Sequence, residues 1–163
     1  MPMIDNLLLF AGTMQASGGI TPQSVNGAGT VVSSNVVDNG PTPANQVPDY
    51  GRGEEVEITI AVITAPTVGT SVQFQLVQAD DAAISSNVQV LAQTDAFPIA
   101  NLPAGTRVPL HWRRADPFAP KRYVALRFVN VGAIATASYI AAVGKDFMDT
   151  VATRVFRTGY SVI

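Results

Sequence analysis

The chain has 163 residues, no cysteine, a formal net charge of −2 and only 13% charged residues. This length suits one domain with a buried core, and the lack of cysteine excludes disulfides and thiolate metal sites. The small negative charge gives no general attraction for nucleic acid or an anionic membrane. Typical soluble domains carry about 25% charged residues, and interface cores are depleted in charge. The composition therefore favours a protein that packs against neighbours, although it also suits a small β domain with a neutral surface.

The N-terminal segment, residues 1–29, shows little regular pattern. Its apolar run at residues 7–10 follows no basic residues and is too short for a signal peptide or a membrane span. A Gly-, Ser- and Asn-rich run at residues 18–29 predicts a loop, or an arm that becomes ordered on binding. We therefore expect an N-terminal arm on a protein that is made in the cytoplasm.

Alternating or β-branched segments then recur at close spacing. They predict strands near residues 30–37, 55–62, 71–76, 88–91, 107–113, 122–128 and 136–143. Three prolines within residues 41–48 predict an extended surface loop, because proline lacks the N–H donor that a sheet needs. Short alternating strands of this kind predict an antiparallel sandwich or barrel.

Two C-terminal stretches have a mixed signal. Residues 133–142 are alanine-rich, which favours a helix, but their position after a strand and between Gly132 and Gly144 favours a hairpin. The tail at residues 147–163 fits either a strand or a short amphipathic helix, because apolar residues recur in it at four-residue spacing.

Signals for catalysis or metal binding are weak. His111 is the only histidine, and it alternates with apolar residues, so it should point outward from its strand. No nucleophile or orienting carboxylate is evident beside it. The acidic cluster at residues 54–57 is expected to lie on the solvent-exposed face of a strand, and the acidic pair at residues 80–81 in a turn whose backbone it caps. The Gly51-Arg52-Gly53 turn precedes a strand, which is the wrong context for a phosphate loop. We therefore expect a protein that is not an enzyme and holds no cofactor or metal.

A cluster of basic residues is the strongest functional signal in the residues themselves. Six of the ten basic residues fall within residues 107–127: Arg107, Arg113, Arg114, Lys121, Arg122 and Arg127. Arginine binds carboxylates through two parallel hydrogen bonds, so an edge of this kind suits an acidic protein partner. An ordinary solvated face and a nucleic-acid surface are the alternatives, although the aromatic residues here form no stacking platform.

Several motifs in order resemble a known family. They are Asn35-Val36-Val37-Asp38, the Gly51-Arg52-Gly53 turn, the Pro103-Ala104-Gly105-Thr106-Arg107 link, the Arg122-Tyr123 strand and the small-residue hairpin after it. Over residues 35–146 the chain resembles the capsid cement (decoration) proteins of tailed phages of the Bordetella podovirus type. The insert at residues 40–48 and the tail at residues 147–163 exceed the family pattern.

The resemblance implies an all-β fold, an antiparallel jelly-roll β sandwich with extended N- and C-terminal arms. Within one domain, residues 1–29 would form the N-terminal arm, 30–146 the sandwich and 147–163 the C-terminal arm. It also implies a dimer or trimer at capsid symmetry axes, on the outer surface of the virion. There the protein would bind the major capsid protein and clamp neighbouring subunits, after a period in the host cytoplasm during assembly. No catalytic residue, nucleic acid or membrane is implied.

The residues expected to contact partners are those of the basic edge and of the two arms. They are Arg107, Arg113, Arg114, Arg122, Leu8, Phe10 and Phe156. The first alternative is a carbohydrate- or receptor-binding jelly-roll module of a phage particle. Sugar sites usually present aromatic rings, whereas Trp112 is alone and is expected to face the core. The second alternative is a cupin-type enzyme, which a single histidine argues against.

Overall fold

The computed structural model describes residues 9–16, 19–40, 55–113 and 119–144. These residues form strands and, in the described ranges, no α-helix. The strands are β1 (Leu9–Ala11), β2 (Thr13–Met14), β3 (Ile20–Thr21), β4 (Gln23–Ser24), β5 (Gly27–Val32), β6 (Val37–Asp38), β7 (Val56–Thr67), β8 (Ser71–Ala79), β9 (Gln89–Gln93), β10 (Phe97–Pro98), β11 (Arg107–Trp112), β12 (Tyr123–Ile134) and β13 (Thr136–Val143). A short 3-10 helix, Ile99–Asn101, connects β10 toward β11.

The strands form two antiparallel sheets. The front sheet has the order β1-β13-β7-β11, and β4 also pairs with β13. The back sheet has the order β10-β8-β12-β5, with β9 also paired with β8 and β6 with β12. A small ribbon, β2-β3, stands apart from both. The all-β antiparallel sandwich that the sequence predicts is therefore confirmed, while the particular jelly-roll connectivity stays a prediction.

The core lies between the sheets and follows the period-two pattern of the strands. In β11 the burial alternates strictly, so that Val108, Leu110 and Trp112 point inward and are 3–6% exposed. Aromatic rings fill the centre. Phe74 meets Phe128 and Tyr139 edge-on at ring-centroid distances of 5.9 and 5.5 Å. Such contacts add to the stabilisation from buried area alone.

Two connections between the sheets meet at one end of the sandwich. One joins β7 to β8 through residues 68–70, and the other joins β12 to β13 through residue 135. The amide of Thr70 donates to the carbonyl of Val131 on β12 at 2.7 Å, and the amide of Ala135 donates to the carbonyl of Thr67 on β7 at 2.8 Å, so each connection is hydrogen-bonded to the strand that leads into the other. Gly132 allows the contact: a Cβ there would lie 2.9 Å from the Cα of Gly69. The two turns are therefore packed as one unit.

The strand positions predicted from the sequence agree well with the long strands. The predicted strand at residues 55–62 corresponds to β7, and β8, β11, β12 and β13 lie where alternation places them. The alanine-rich segment is the strand β13 and not a helix. It does not form a hairpin with β12, however, because the chain crosses to the other sheet at Ala135. The loop at residues 41–48 and the C-terminal arm at 147–163 lie outside the described residues.

The N-terminal boundary of the sandwich differs from the prediction. Strands β1, β4 and β5 pair with β13 or β12 and belong to the two sheets. Leu9 packs with Ile140 and Ala142 on the outer side of the front sheet, and Val25 lies in the main core with 0% exposure. The predicted arm at residues 1–29 is thus corrected for its described part, residues 9–16 and 19–29. The strands β1 and β4 have only two or three residues, too few to produce a visible alternation in the sequence, and β5 begins three residues before the predicted strand at residues 30–37.

Candidate binding surfaces at the two ends of the sandwich

Charged side chains are distributed unevenly along the sandwich. We call the end at which β7 and β12 begin the charged end. It carries Asp38, Glu55, Glu57, Asp80, Asp81, His111, Arg113, Lys121 and Arg122. We call the opposite end, where the two inter-sheet connections meet, the neutral end, comprising residues 26–30, 63–72, 97–101 and 129–137. It contains no Asp, Glu, Lys, Arg or His among these residues. The two ends therefore suit partners of different chemistry.

At the charged end, Arg122 is held by an ion pair within the chain. Its Nε and Nη2 donate to the two carboxylate oxygens of Asp38 at 2.7 and 2.9 Å. Its guanidinium carbon lies 4.9 Å from the ring centroid of Tyr123. Hydrogen bonds from Arg122 and then from the Gly40 amide keep the pKa of Asp38 below its ordinary value. The pair fastens β6 to the start of β12, and Arg122 is committed to Asp38 before any partner binds.

The neighbouring Lys121 is also used internally. Its Nζ donates to the Asn87 carbonyl at 2.6 Å and lies 3.0 Å from Asp80, and its side chain is only 14% exposed. The hydrogen bond from the Asn87 side chain, followed by that from Lys121, lowers the pKa of Asp80. Lys121 therefore anchors the loop between β8 and β9 to the start of β12.

Asp81 caps the backbone of the same loop. Its Oδ1 accepts the amides of Ser86 at 2.6 Å and Ser85 at 3.0 Å, and its Oδ2 accepts the Ser85 hydroxyl at 2.8 Å. These hydrogen bonds, that of the Ser86 amide first, lower the pKa of Asp81. The capped turn that the sequence predicts at residues 80–81 is confirmed.

The front sheet presents a different set of groups along the edge strand β11. Arg107, Pro109 and His111 point outward, as the alternation predicts, and Arg113 is exposed just beyond the strand. The Nδ1 of His111 lies 3.1 Å from Glu55, and both side chains are about half exposed. This edge places Arg107 and Arg113 on a surface that a partner can reach.

The predicted single Arg-rich edge is divided between the two sheets. Arg107 lies on β11 of the front sheet and Arg113 directly follows that strand, whereas Arg127 lies on β12 of the back sheet and Lys121 and Arg122 directly precede it. The cause is that β11 pairs with β7 and β12 pairs with β8, a long-range choice that local sequence does not reveal. Contact of Arg107, Arg113 and Arg122 with a partner stays a prediction.

Of the residues assigned to the arms, the structure describes Phe10. Its side chain is 4% exposed in the main core, and its carbonyl accepts the Asn35 amide at 3.0 Å. Phe10 is therefore a core residue, which corrects its assignment to a partner surface. Leu8, Arg114 and Phe156 lie outside the described residues.

The outer face of the back sheet carries a polar patch halfway along. The side-chain amide of Gln75 donates to Gln93 at 3.1 Å and to Gln73 at 3.3 Å, and Arg127 lies directly opposite Gln75 in the register. Among the described residues, the Oε1 of Gln75 and the Nε of Arg127 are buried atoms without a hydrogen-bond partner. The patch thus contains one buried acceptor and one buried donor that are not paired with each other.

The neutral end exposes apolar side chains that sequence reasoning did not single out. Val68 is 65% exposed and Val131 is 51% exposed. Val68 takes the left-handed conformation, with φ of +59°, which the alternation pattern of the sequence does not indicate. An apolar residue directly before a turn glycine was the available signal.

Two further features are absent from the described part of the chain, a cluster of metal-binding side chains and a membrane-spanning helix. No group of three or more His, Asp or Glu side chains there could hold a metal ion. In those same ranges no helix is long and apolar enough to cross a membrane. Trp112 is 6% exposed, so its ring faces the core as predicted.

The fold and the exposed groups define a class, an antiparallel β sandwich whose surface chemistry lies mainly at its two ends. Comparison with known proteins adds the family. The family model Bbp16 matches residues 21–143, which covers nearly the whole described sandwich. The chain therefore belongs to the Bbp16 family, which is phage-related. No curated protein matches the chain significantly.

Proposed function

We propose that this protein is a structural component of a phage virion that binds the outside of the capsid shell and cements neighbouring major capsid subunits. The observation that carries the proposal is the match of residues 21–143 to a phage-related family. The resemblance of residues 35–146 to capsid cement proteins points the same way. On this proposal the protein is not an enzyme and acts entirely through contacts.

The distribution of charge supports a cementing role. A clamp must hold at least two neighbours, and here the two ends of one rigid sandwich differ in chemistry. Simultaneous engagement of several weak contacts raises the overall affinity by about 10²–10⁴. Repeated subunits of a shell present such contacts at fixed spacing, so a rigid two-ended molecule suits them. Self-association into a dimer or trimer would multiply the contacts further.

The exposed arginines of the front-sheet edge are the proposed cationic contacts. Arg107 lies on the outward side of β11, midway along the sandwich, and Arg113 is exposed just beyond the end of β11, at the charged end. An acidic patch on a capsid subunit would receive them through charge-assisted hydrogen bonds. The alternative of a carbohydrate-binding module gains no support, because Trp112 lies in the core.

The proposal is tested with shells of the encoding phage from which this protein has been removed. Wild-type protein should cosediment with the shells to a saturating, fixed ratio. Arg113→Glu, alone or together with Arg114→Glu, should weaken the binding while leaving the unfolding midpoint of the free protein unchanged. Added salt should reduce the affinity of the wild type more than that of the variant.

A matched control separates the position of the charge from its amount. Ala82→Glu with Ala83→Glu changes the net charge by the same −2 as Arg113→Glu, and both alanines are exposed in the loop after β8. This control should bind like the wild type. If the wild-type protein does not bind the shells, the proposed function is wrong. If the Arg113 variants bind with the affinity of the wild type, only the proposed role of this edge is wrong.

A further inference from the structure

We propose that the neutral end is a second docking surface and that Val68 is its anchor, which inserts into an uncharged apolar hollow on a shell subunit. This inference rests on the proposed function and names the chemistry of one of its contacts. It depends on three features of the neutral end: a strained exposed valine, a rigid support beneath it, and the absence of charge around it.

Val68 has a backbone conformation that valine rarely adopts. Its φ is +59°, and the next residue, Gly69, has φ of +87°. β-branched residues are disfavoured in this region, whereas Asn and Gly adopt it readily. Valine at this position therefore makes the turn less stable than asparagine would.

A comparison with Ile84 shows what usually compensates such strain. Ile84 is also β-branched with a positive φ of +54°, but its side chain is 5% exposed and packs with Val77 and Ala125. Burial of an aliphatic side chain offsets a conformational cost of this kind. Val68 has no comparable compensation, because 65% of it is exposed in the isolated chain. Burial against another molecule would provide it.

The turn that carries Val68 is held firmly. Gly69 packs so closely that a Cβ there would lie 2.5 Å from the Cδ1 of Ile134, and the Thr70 amide is hydrogen-bonded to the Val131 carbonyl. The side chain of Val68 is thus presented on a preorganised support, which limits the entropy that binding would cost. Val131, 51% exposed, stands on the connected strand and adds to the apolar surface.

Charge and size together indicate the occupant. Because the neutral end has no charged residue, a partner that buried a charge there would leave it unpaired, which is costly. The exposed residues of this end are also fewer than the roughly 20–30 residues that each side of a stable interface contributes. A dimer held by this end alone would therefore be weak, whereas one contact among several on a repeating shell is sufficient. We accordingly assign it to an uncharged hollow of a shell subunit.

Two variants test the assignment on shells of the encoding phage stripped of this protein. Val68→Asn should raise the unfolding midpoint of the free protein, because asparagine before glycine suits this turn, and should weaken shell binding about tenfold through the loss of a buried aliphatic group. Val131→Thr keeps the side-chain shape and should also weaken binding. The control Val90→Thr alters a valine that is 39% exposed on β9, away from the neutral end, and should bind like the wild type.

Each outcome has a distinct meaning. A more stable Val68→Asn protein with weaker binding supports the inference, because a loss of folding cannot explain it. Binding of Val68→Asn and Val131→Thr at the affinity of the wild type overturns the inference and leaves the proposed function intact. The inference would also be overturned if the wild-type protein formed dimers and Val68→Asn abolished them without changing shell binding. Absence of wild-type binding contradicts the proposed function itself.

Discussion

Tyr139 carries a hydroxyl group whose removal should stabilise the protein. Its side chain is 0% exposed, and its ring stacks on Phe128 at 5.2 Å and meets Phe74 edge-on at 5.5 Å. In the described structure its Oη has no hydrogen-bond partner. A buried unpartnered hydroxyl costs about 1–3 kcal/mol. Tyr139→Phe keeps the ring contacts and should therefore raise the free energy of unfolding by about 1 kcal/mol at pH 7.

The same group makes a prediction at alkaline pH. Burial raises the pKa of Tyr139 to about 12, from an ordinary value of 10.0. Because the pKa of Tyr139 is higher in the folded protein than in the unfolded chain, ionisation of this group does not lower the stability of the wild type below pH 10, but it lowers the free energy of unfolding progressively as the pH rises toward 12. At pH 11 the loss is about 1.4 kcal/mol, one pH unit above the pKa of the unfolded chain. Tyr139→Phe has no such loss, so its advantage should grow between pH 10 and pH 12.

Urea denaturation at pH 7 and pH 11, with m-values compared, measures both effects. Tyr123→Phe is the control, because Tyr123 is only partly buried, and it should change the free energy of unfolding at pH 7 by less than about 0.5 kcal/mol. A Tyr139→Phe protein that is less stable than the wild type at pH 7 would refute the reasoning and show that the hydroxyl has a partner, such as a bound water molecule.

Three further predictions concern stability. Gly132→Ala and Gly105→Ala both place a side chain at positive φ, but only at Gly132 would the new Cβ meet backbone atoms, those of Gly69. Thermal melts should therefore show that Gly132→Ala lowers the free energy of unfolding by about 1–3 kcal/mol more than Gly105→Ala does. Equal losses of stability would contradict the packing of the two turns. Phe10→Ala should lower the free energy of unfolding by about 3–5 kcal/mol in denaturant titrations, because the side chain lies in the core. A loss of stability below about 1 kcal/mol would show that Phe10 is a surface residue. Because the pKa of Asp81 is lowered in the folded protein, the ionised carboxylate contributes to folding stability above the ordinary carboxyl pKa of 3.8, and this contribution is lost as the pH falls through the folded pKa. Asp81→Ala should therefore lower the melting temperature at pH 7 but have no effect at strongly acid pH.

Local periodicity was sufficient to predict the long strands. In β11 each inward residue is apolar and each outward one is polar or proline, so the sequence alone places Trp112 in the core and His111 outside. Alternation also locates β7, β8 and β12, but each of these strands has a run of consecutive buried residues, such as 58–62 in β7, because both of its faces are covered there. Period-two alternation is a direct consequence of a pleated strand with one buried face.

The arrangement of the site depends on contacts that are distant in the sequence. Arg113 and Arg122 are nine positions apart, but they adjoin different sheets, because Arg113 directly follows β11, which pairs with β7, and Arg122 directly precedes β12, which pairs with β8. The ion pair of Arg122 with Asp38 joins residues 84 positions apart. Neither pairing leaves a local pattern, and the same is true of the backbone conformation of Val68. The sequence therefore predicts which residues are exposed better than it predicts which of them lie together.

The copy number of this protein in purified virions tests the central claim most directly. Quantitative mass spectrometry would compare it with the major capsid protein of the same particles. A cement protein at repeated shell positions predicts a number of copies that is a fixed simple fraction of the capsid subunits, reaching hundreds per particle. A few copies per virion would contradict the proposal and indicate a tail or receptor-binding part, and complete absence from virions would exclude a structural role in the particle.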